Sequence, residues 1–184
     1  MTDTSKTRRN RIMLIVLFGI AILPLLGAYW LYQSTRTSKP WGTTNRGELM
    51  NPIVSVGDLQ LTSIDGKASM MHTGHWWLVV TTKDGCTAEC QRAAHQLNQL
   101  HILLGRDASR VERGLIALGA TPIDQAVVEK NPTAIIFNAP VDVLMPGVYI
   151  VDPLGNVVLR YAYGDADKPV LQDLKQLLKV SHIG

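Results

Sequence analysis

The chain is poor in the residues that most enzymatic and metal sites require. Cys86 and Cys90 are its only two cysteines, and no zinc quartet is evident around them. There is no Ser-His-Asp set, phosphate-binding loop or paired acid site, and no internal repeat or low-complexity tract. Excess charge is lacking as well. Of 18 basic and 15 acidic residues, the first eleven positions hold four and one, which leaves 14 against 14 in the remainder. The net charge of +3 therefore belongs to the N-terminal tail, and nucleic-acid binding has no support.

What is present begins with a charge-free run. Ile12 to Tyr32 is 21 residues long, and as a helix it would span roughly 30 Å, the thickness of a bilayer's hydrocarbon core. Gly19, Pro24 and Gly27 inside it are tolerated by membrane helices, and Tyr29, Trp30 and Tyr32 form an aromatic belt at its far end. The run exceeds a signal-peptide core and no small-x-small cleavage site follows, so an uncleaved anchor is expected. Lys6, Arg8, Arg9 and Arg11 precede it, and the positive-inside rule then keeps the tail cytoplasmic and exports the rest. The expected organisation is a cytoplasmic basic tail (1–11), a transmembrane helix (12–32), a linker (33–52) and one domain (53–184).

The domain is organised around Trp76 to Leu104. The apolar, β-branched run Trp76-Trp77-Leu78-Val79-Val80-Thr81-Thr82 predicts a buried strand, Lys83-Asp84-Gly85 a tight turn, and the following residues a helix. A helix starting near Cys86 puts both sulfurs on one face, about one turn apart. The helix N-terminus lowers the pKa of Cys86, the outer sulfur and the expected nucleophile or leading metal ligand. Cys90, Ala94, Leu97, Leu100 or His101, and Leu104 mark the packing face, with Gly105 just past the helix end.

Around this centre, Ile53 to Val56 and Leu59 to Thr62 predict an N-terminal hairpin or edge strand pair ended by Asp65-Gly66. Val111 to Leu118 is expected as a second core strand, Pro122 to Lys130 as a short helix capped by Thr121, and Ala134 to Phe137 as a short strand. Pro146 to Asp152 and Val157 to Tyr163, joined at Pro153-Leu154-Gly155-Asn156, predict a hairpin. Lys168 to Val180, with Pro169 in its first turn and a stripe of Val170, Leu171, Leu174, Leu177 and Leu178, predicts a closing helix. Such an order gives a sheet with helices on its faces.

From Ile53 to Val180 this order resembles the thioredoxin superfamily: a strand ending in a cysteine turn, a helix starting there, then an X-Pro before a hairpin and terminal helix. The resemblance implies an α/β fold, a thioredoxin-like central sheet flanked by helices. It puts Met145-Pro146 at the superfamily's cis-proline and Cys86, Cys90 and Pro146 at the catalytic positions. The C-x-x-x-C spacing and the anchor resemble the Sco/SenC group, membrane-anchored copper chaperones of cytochrome c oxidase assembly. The wording from Gly74-His75-Trp76-Trp77-Leu78 through Leu103-Leu104-Gly105-Arg106-Asp107 is similar to small proteobacterial membrane proteins associated with oxidase assembly. An inner-membrane protein with a periplasmic domain is implied, with copper as its metal and an oxidase subunit or another copper chaperone as partner. One departure stands out. Sco proteins bind copper with two cysteines and a histidine shortly before the hairpin strand, and aligning Asp152-Pro153 brings Leu144 to that place.

Three chemistries remain for the pair. Cu(I) accepts thiolate, thioether or imidazole ligands, so Cys86, Cys90 and Met145 form one candidate set. Thiol-disulfide exchange, including that of a general periplasmic oxidoreductase, would use Cys86 to attack and Cys90 to resolve. A binding module with a structural disulfide is the third, although so short a loop constrains the unfolded chain little. Asp84 and Glu89 flank the cysteines, where they would tune the thiol pKa or simply belong to a solvated helix start. Met70, Met71, His72 and His75 look copper-friendly but precede the strand, some 20 Å from its far end, and a solvated turn is expected there. His95 and His101 lie along the cysteine helix and His182 in the tail, and none is expected in the first shell of the site.

Overall fold

The computed structural model describes residues 3–37, 44–64, 71, 74–119, 121–140 and 143–181. They fall into two compact units, Met1–Thr44 and Asn45–Gly184. The first is a single helix, α1 (Asp3–Thr37), and its segment Arg11–Gln33 is long and apolar enough to cross a membrane. Large apolar side chains from Ile12 to Tyr32 stand exposed along it, as a lipid-facing helix requires.

The second unit is a seven-stranded mixed sheet. Its strands are β1 (Glu48–Ser55), β2 (Thr62–Ser63), β3 (Trp76–Lys83), β4 (Val111–Leu118), β5 (Ile135–Ala139), β6 (Gly147–Val151) and β7 (Asn156–Tyr161), in the order β1-β7-β6-β3-β4-β5-β2. The strands β3, β4 and β5 run parallel, and β6 and β7 are antiparallel to β3 and to each other. Strand β3 is central and buried from Trp76 to Thr82, which explains its unbroken apolar run. Its alternate residues serve two cores. Trp76, Leu78 and Val80 face a cluster that includes α2 (Ala88–Leu103), α3 (Gln125–Lys130) and α4 (Lys168–Val180). Trp77 and Val79 face a second cluster with Val54, Leu59, Leu61, Met71, Phe137 and Leu144.

The sheet is flanked by helices as expected: the three helices of the domain pack on one face, and among the described residues the other is covered by coil and the 3-10 turn Val56–Leu59. Several finer expectations are corrected by this arrangement. The N-terminal strands do not form a hairpin: β1 pairs with β7 at one edge and β2 with β5 at the other. Strand β1 starts at Glu48, inside the expected linker, because Glu48 and Leu49 find partners in Arg160 and Leu159. Helix α3 begins at Gln125, after Asp124 rather than Thr121, and no side chain caps it. The expected Asp65-Gly66 turn lies outside the described residues.

The start of the domain is tied down by one buried carboxylate. Asp173 of α4 accepts hydrogen bonds through Oδ2 from the backbone N–H of Arg46 (2.6 Å), that of Gly47 (2.9 Å) and the hydroxyl of Tyr161 (2.8 Å). Glycine is required at position 47, where a Cβ would fall 2.4 Å from the Tyr161 ring. Burial and the neighbouring carboxylate both push the Tyr161 phenol far up, so it stays a donor. Asp173→Ala leaves three donors without an acceptor and should cost about 3 kcal/mol. Urea unfolding of the full chain in detergent checks this, and a loss below about 1 kcal/mol would contradict the assigned role.

Candidate functional site

Strand β3 delivers the cysteines. At its end the chain reverses through Asp84 (φ 58°) and Gly85 (φ 95°), left-handed positions that suit a short polar residue and glycine. Thr82 Oγ1 closes the turn by donating to the Gly85 carbonyl at 2.5 Å. Helix α2 then starts two residues later than Cys86. Thr87 is its N-cap, with its hydroxyl accepting from the Cys90 N–H at 3.4 Å. The Gln91 side chain donates to the Cys86 carbonyl at 3.1 Å. Cys86 thus sits at the mouth of the helix and Cys90 within its first turn.

The two sulfurs are joined in a disulfide, with Cα atoms 5.3 Å apart. Cys90 is 0% exposed and Cys86 6%, so the outer sulfur is the one a partner reaches first. Cys90 packs with Ala93, Ala94 and Leu97 on the helix-bearing core, and Gly105 (φ 59°) follows the helix end.

The loop before β6 is tied to the end of β3. Met145 O accepts from Thr81 Oγ1 (2.9 Å) and from the Tyr149 hydroxyl (2.8 Å), and Tyr163 donates to Thr81 O at 2.6 Å. A Cβ at residue 147 would lie 2.7 Å from Tyr161 O, so only glycine lets β6 start so close to β7. The peptide bond preceding Pro146 is trans, contrary to the resemblance; among the described residues the cis bond is Asn51–Pro52. Pro146 nevertheless faces α2 across a groove of about 370 Å³, lined also by Glu89, Arg92, Arg160 and Tyr163.

The remaining candidates are dispersed. Leu144 is buried and Met145 is 63% exposed. Met71 belongs to the core instead of a solvated turn, while Met70, His72 and His182 lie outside the described residues. His75 stands at the opposite end of β3 from the cysteines. His95 is exposed, and His101 directs Nε2 at the carbonyls of Val111 (2.8 Å) and Ala108 (3.1 Å). Among the described residues no group of three His, Cys, Asp or Glu could hold a metal ion. In this arrangement the two sulfurs are joined to each other, and among the described residues no histidine completes a metal site with them.

A family described as "transmembrane-like, thioredoxin-like, C-terminal domain" matches residues 76–181. The chain belongs to this family. The match starts at the first residue of β3 and ends just beyond α4, so it covers the cysteines, strands β3 to β7 and the three helices of the domain, and leaves out β1 and β2. The apo Sco1 protein of Thermus thermophilus has the same fold, with a TM-score of 0.53 at 13% identity over 74% of this chain and 99% of that one. Copper-bound ScoI of Bradyrhizobium japonicum is similar at a TM-score of 0.48 and 17% identity, over 64% and 96%. The thioredoxin domain of a Bacteroides vulgatus thiol-disulfide oxidoreductase gives 0.45 and 14%, over 72% and 96%. No curated protein gives a significant match.

Sequence reasoning missed the residues that brace this site. Thr87 was detectable as a cap residue one position ahead of a helix. Thr81, Tyr149 and Tyr163 were not, because their partners are carbonyls distant in the chain or across a turn. Burial pushes the phenols of Tyr149 and Tyr163 above their usual value of 10.0. The folded protein then holds protons that the unfolded chain releases near pH 10, so stability is full below about pH 10 and falls as pH rises beyond it. Replacing both tyrosines by Phe should lessen that decline while leaving the share owed to Tyr161, as followed by urea unfolding between about pH 9 and 11; an unchanged decline would contradict the bracing role.

Proposed function

We propose that this chain is a membrane-anchored thiol-disulfide exchange factor that assists cytochrome c oxidase assembly, with its tail in the cytoplasm and its domain in the periplasm. The observation that carries the exchange chemistry is the Cys86–Cys90 disulfide at the mouth of α2, where Glu89, between the two cysteines, lines the groove that Pro146 borders. The resemblance to oxidase-assembly proteins and the basic residues ahead of α1 support the setting.

In the reduced state the Cys86 thiolate attacks one sulfur of a partner disulfide. A mixed disulfide forms and the partner's other sulfur leaves as a thiolate. Cys90 gives up its proton and attacks Cys86 Sγ, which releases the partner's second thiolate and restores the Cys86–Cys90 bond. The partner gains two electrons and this chain loses two, so an external dithiol must reduce it for the next cycle. The helix N-terminus favours the thiolate at Cys86, and burial keeps Cys90 protonated until the mixed disulfide forms. The natural substrate is then an oxidised copper-site cysteine pair of an oxidase subunit, or that of a copper chaperone.

A second reading treats Cu(I) as cargo. Reduction frees both sulfurs, and the exposed Met145 thioether stands on the adjoining loop as a third soft donor.

Two measurements separate these readings. Cys90→Ser cannot resolve, so in membranes it should accumulate a mixed disulfide with an oxidase copper subunit or a copper chaperone, and Cys86→Ser should not. Absence of any such adduct would contradict the exchange role. Titration of the reduced full chain with Cu(I) against a competing chelator tests the cargo role. Binding should be lost in Cys86→Ser and weakened about tenfold, or about 1.4 kcal/mol, in Met145→Leu; unchanged affinity in Met145→Leu would remove the thioether from the set.

A further inference from the structure

The groove next to the cysteine turn carries a positive charge that no group among the described residues neutralises. Its wall on α2 is formed by Glu89, Arg92 and Gln96, which recur at helical spacing, and Pro146 and Tyr163 border it as well. Arg160 also lines it, but its guanidinium is already paired with Glu48 at 3.2 Å. Glu89 and Arg92 are both exposed and three residues apart, yet among the described residues no ion pair joins them to each other or to any other group.

These two charges are not equivalent. Glu89 is the second residue of α2, where the field of the helix terminus and its orphan N–H groups offset a carboxylate. Arg92 follows only three residues later, near the end of the helix that disfavours a cation, so the uncompensated charge of the groove is the positive one. Its direction is fixed by a hydrogen bond. Arg92 Nε donates to the Ala88 carbonyl at 3.4 Å, one turn back toward the N-terminus, and the two terminal nitrogens find no acceptor among the described residues. A guanidinium held at Nε and open at its outer edge presents the pair of parallel donors that a carboxylate accepts. Ala88 lies between Cys86 and Cys90, so this fork stands within about one helical turn of the cysteine pair.

We propose that Arg92 determines which partners are preferred: a disulfide with an aspartate or glutamate one to three positions from the attacked cysteine reacts fastest, because that carboxylate docks on the Arg92 guanidinium. The inference rests on the exchange role proposed above. An extended segment advances about 3.3 Å per residue, so one to three positions cover the pitch of one helical turn, about 5.4 Å. Charge complementarity of this kind acts on encounter and register and is weakened by salt.

Single-turnover reduction of peptide disulfides by the reduced full chain in detergent tests this. Three peptides of one sequence, each closed by an internal disulfide, carry glutamate, glutamine or lysine beside the first cysteine, and each rate is divided by that with dithiothreitol to remove intrinsic reactivity. The glutamate peptide should react about tenfold faster than the lysine peptide at low salt, with glutamine between them and the spread narrowing at about 0.5 M salt. Arg92→Gln should bring the glutamate and lysine rates within about twofold of each other, and Arg92→Glu should reverse their order. Equal rates for the three peptides, or a preference that persists unchanged in Arg92→Gln, would overturn this inference and leave the exchange role standing. Failure to reduce any of the three would overturn the exchange role and this inference with it.

Discussion

Burial of β3 on both faces is the constraint on which the rest depends. A strand with apolar neighbours above and below cannot slip by one residue without exchanging its two cores, so its register, and with it the position of its end, is fixed. The cysteine turn inherits that precision. Because β4 and β6 flank β3, the same strand also locates the loop before β6, and Thr81 records the link by bonding the Met145 carbonyl from the strand's last turn of pleat. Two segments more than fifty residues apart, the cysteine turn and the loop before β6, are thereby both tied to the end of one strand.

The arrangement also explains why the two sulfurs are unequal. Thr87 caps the helix with its own hydroxyl, which spends one of the orphan N–H groups of the first turn and leaves the field of the helix terminus directed at Cys86. Cys90, one turn further in, belongs to the same apolar row as Ala94 and Leu97 and is sealed by the sheet. Cys86 keeps a little exposure, 6% against 0% for Cys90, which is the direction of asymmetry that the proposed ordered exchange calls for. A purely structural bond over so short a loop would contribute little to stability.

What could be read from the sequence was local. The strand, the cysteine helix ending before Gly105, the hairpin and the closing helix all announce themselves by runs, stripes and turn residues within about a dozen positions. Features set by distant partners could not be read that way. Ile53 to Thr62 looks like a strand pair, yet the two strands find partners in β7 and β5 at opposite edges of the sheet. Met71 sits in a polar string but fills the second core. The residue before Pro146 carries no sign of its peptide geometry, and the trans bond there separates this loop from the superfamily pattern. Thr81, Tyr149 and Tyr163 brace the site through carbonyl acceptors, a type of partner that leaves no side-chain signature.

The central claim is that Cys86 and Cys90 form a working dithiol pair. Equilibrating the full chain in detergent with graded dithiol and disulfide buffers, and trapping the free thiols, tests it most directly. The account predicts one reversible two-electron transition between folded oxidised and folded reduced states, with the Cys86 thiol titrating below the value of about 8.5 for a free cysteine. Loss of the fold on reduction, or a bond that stays closed under strongly reducing buffer, would contradict it and leave the disulfide as a structural link.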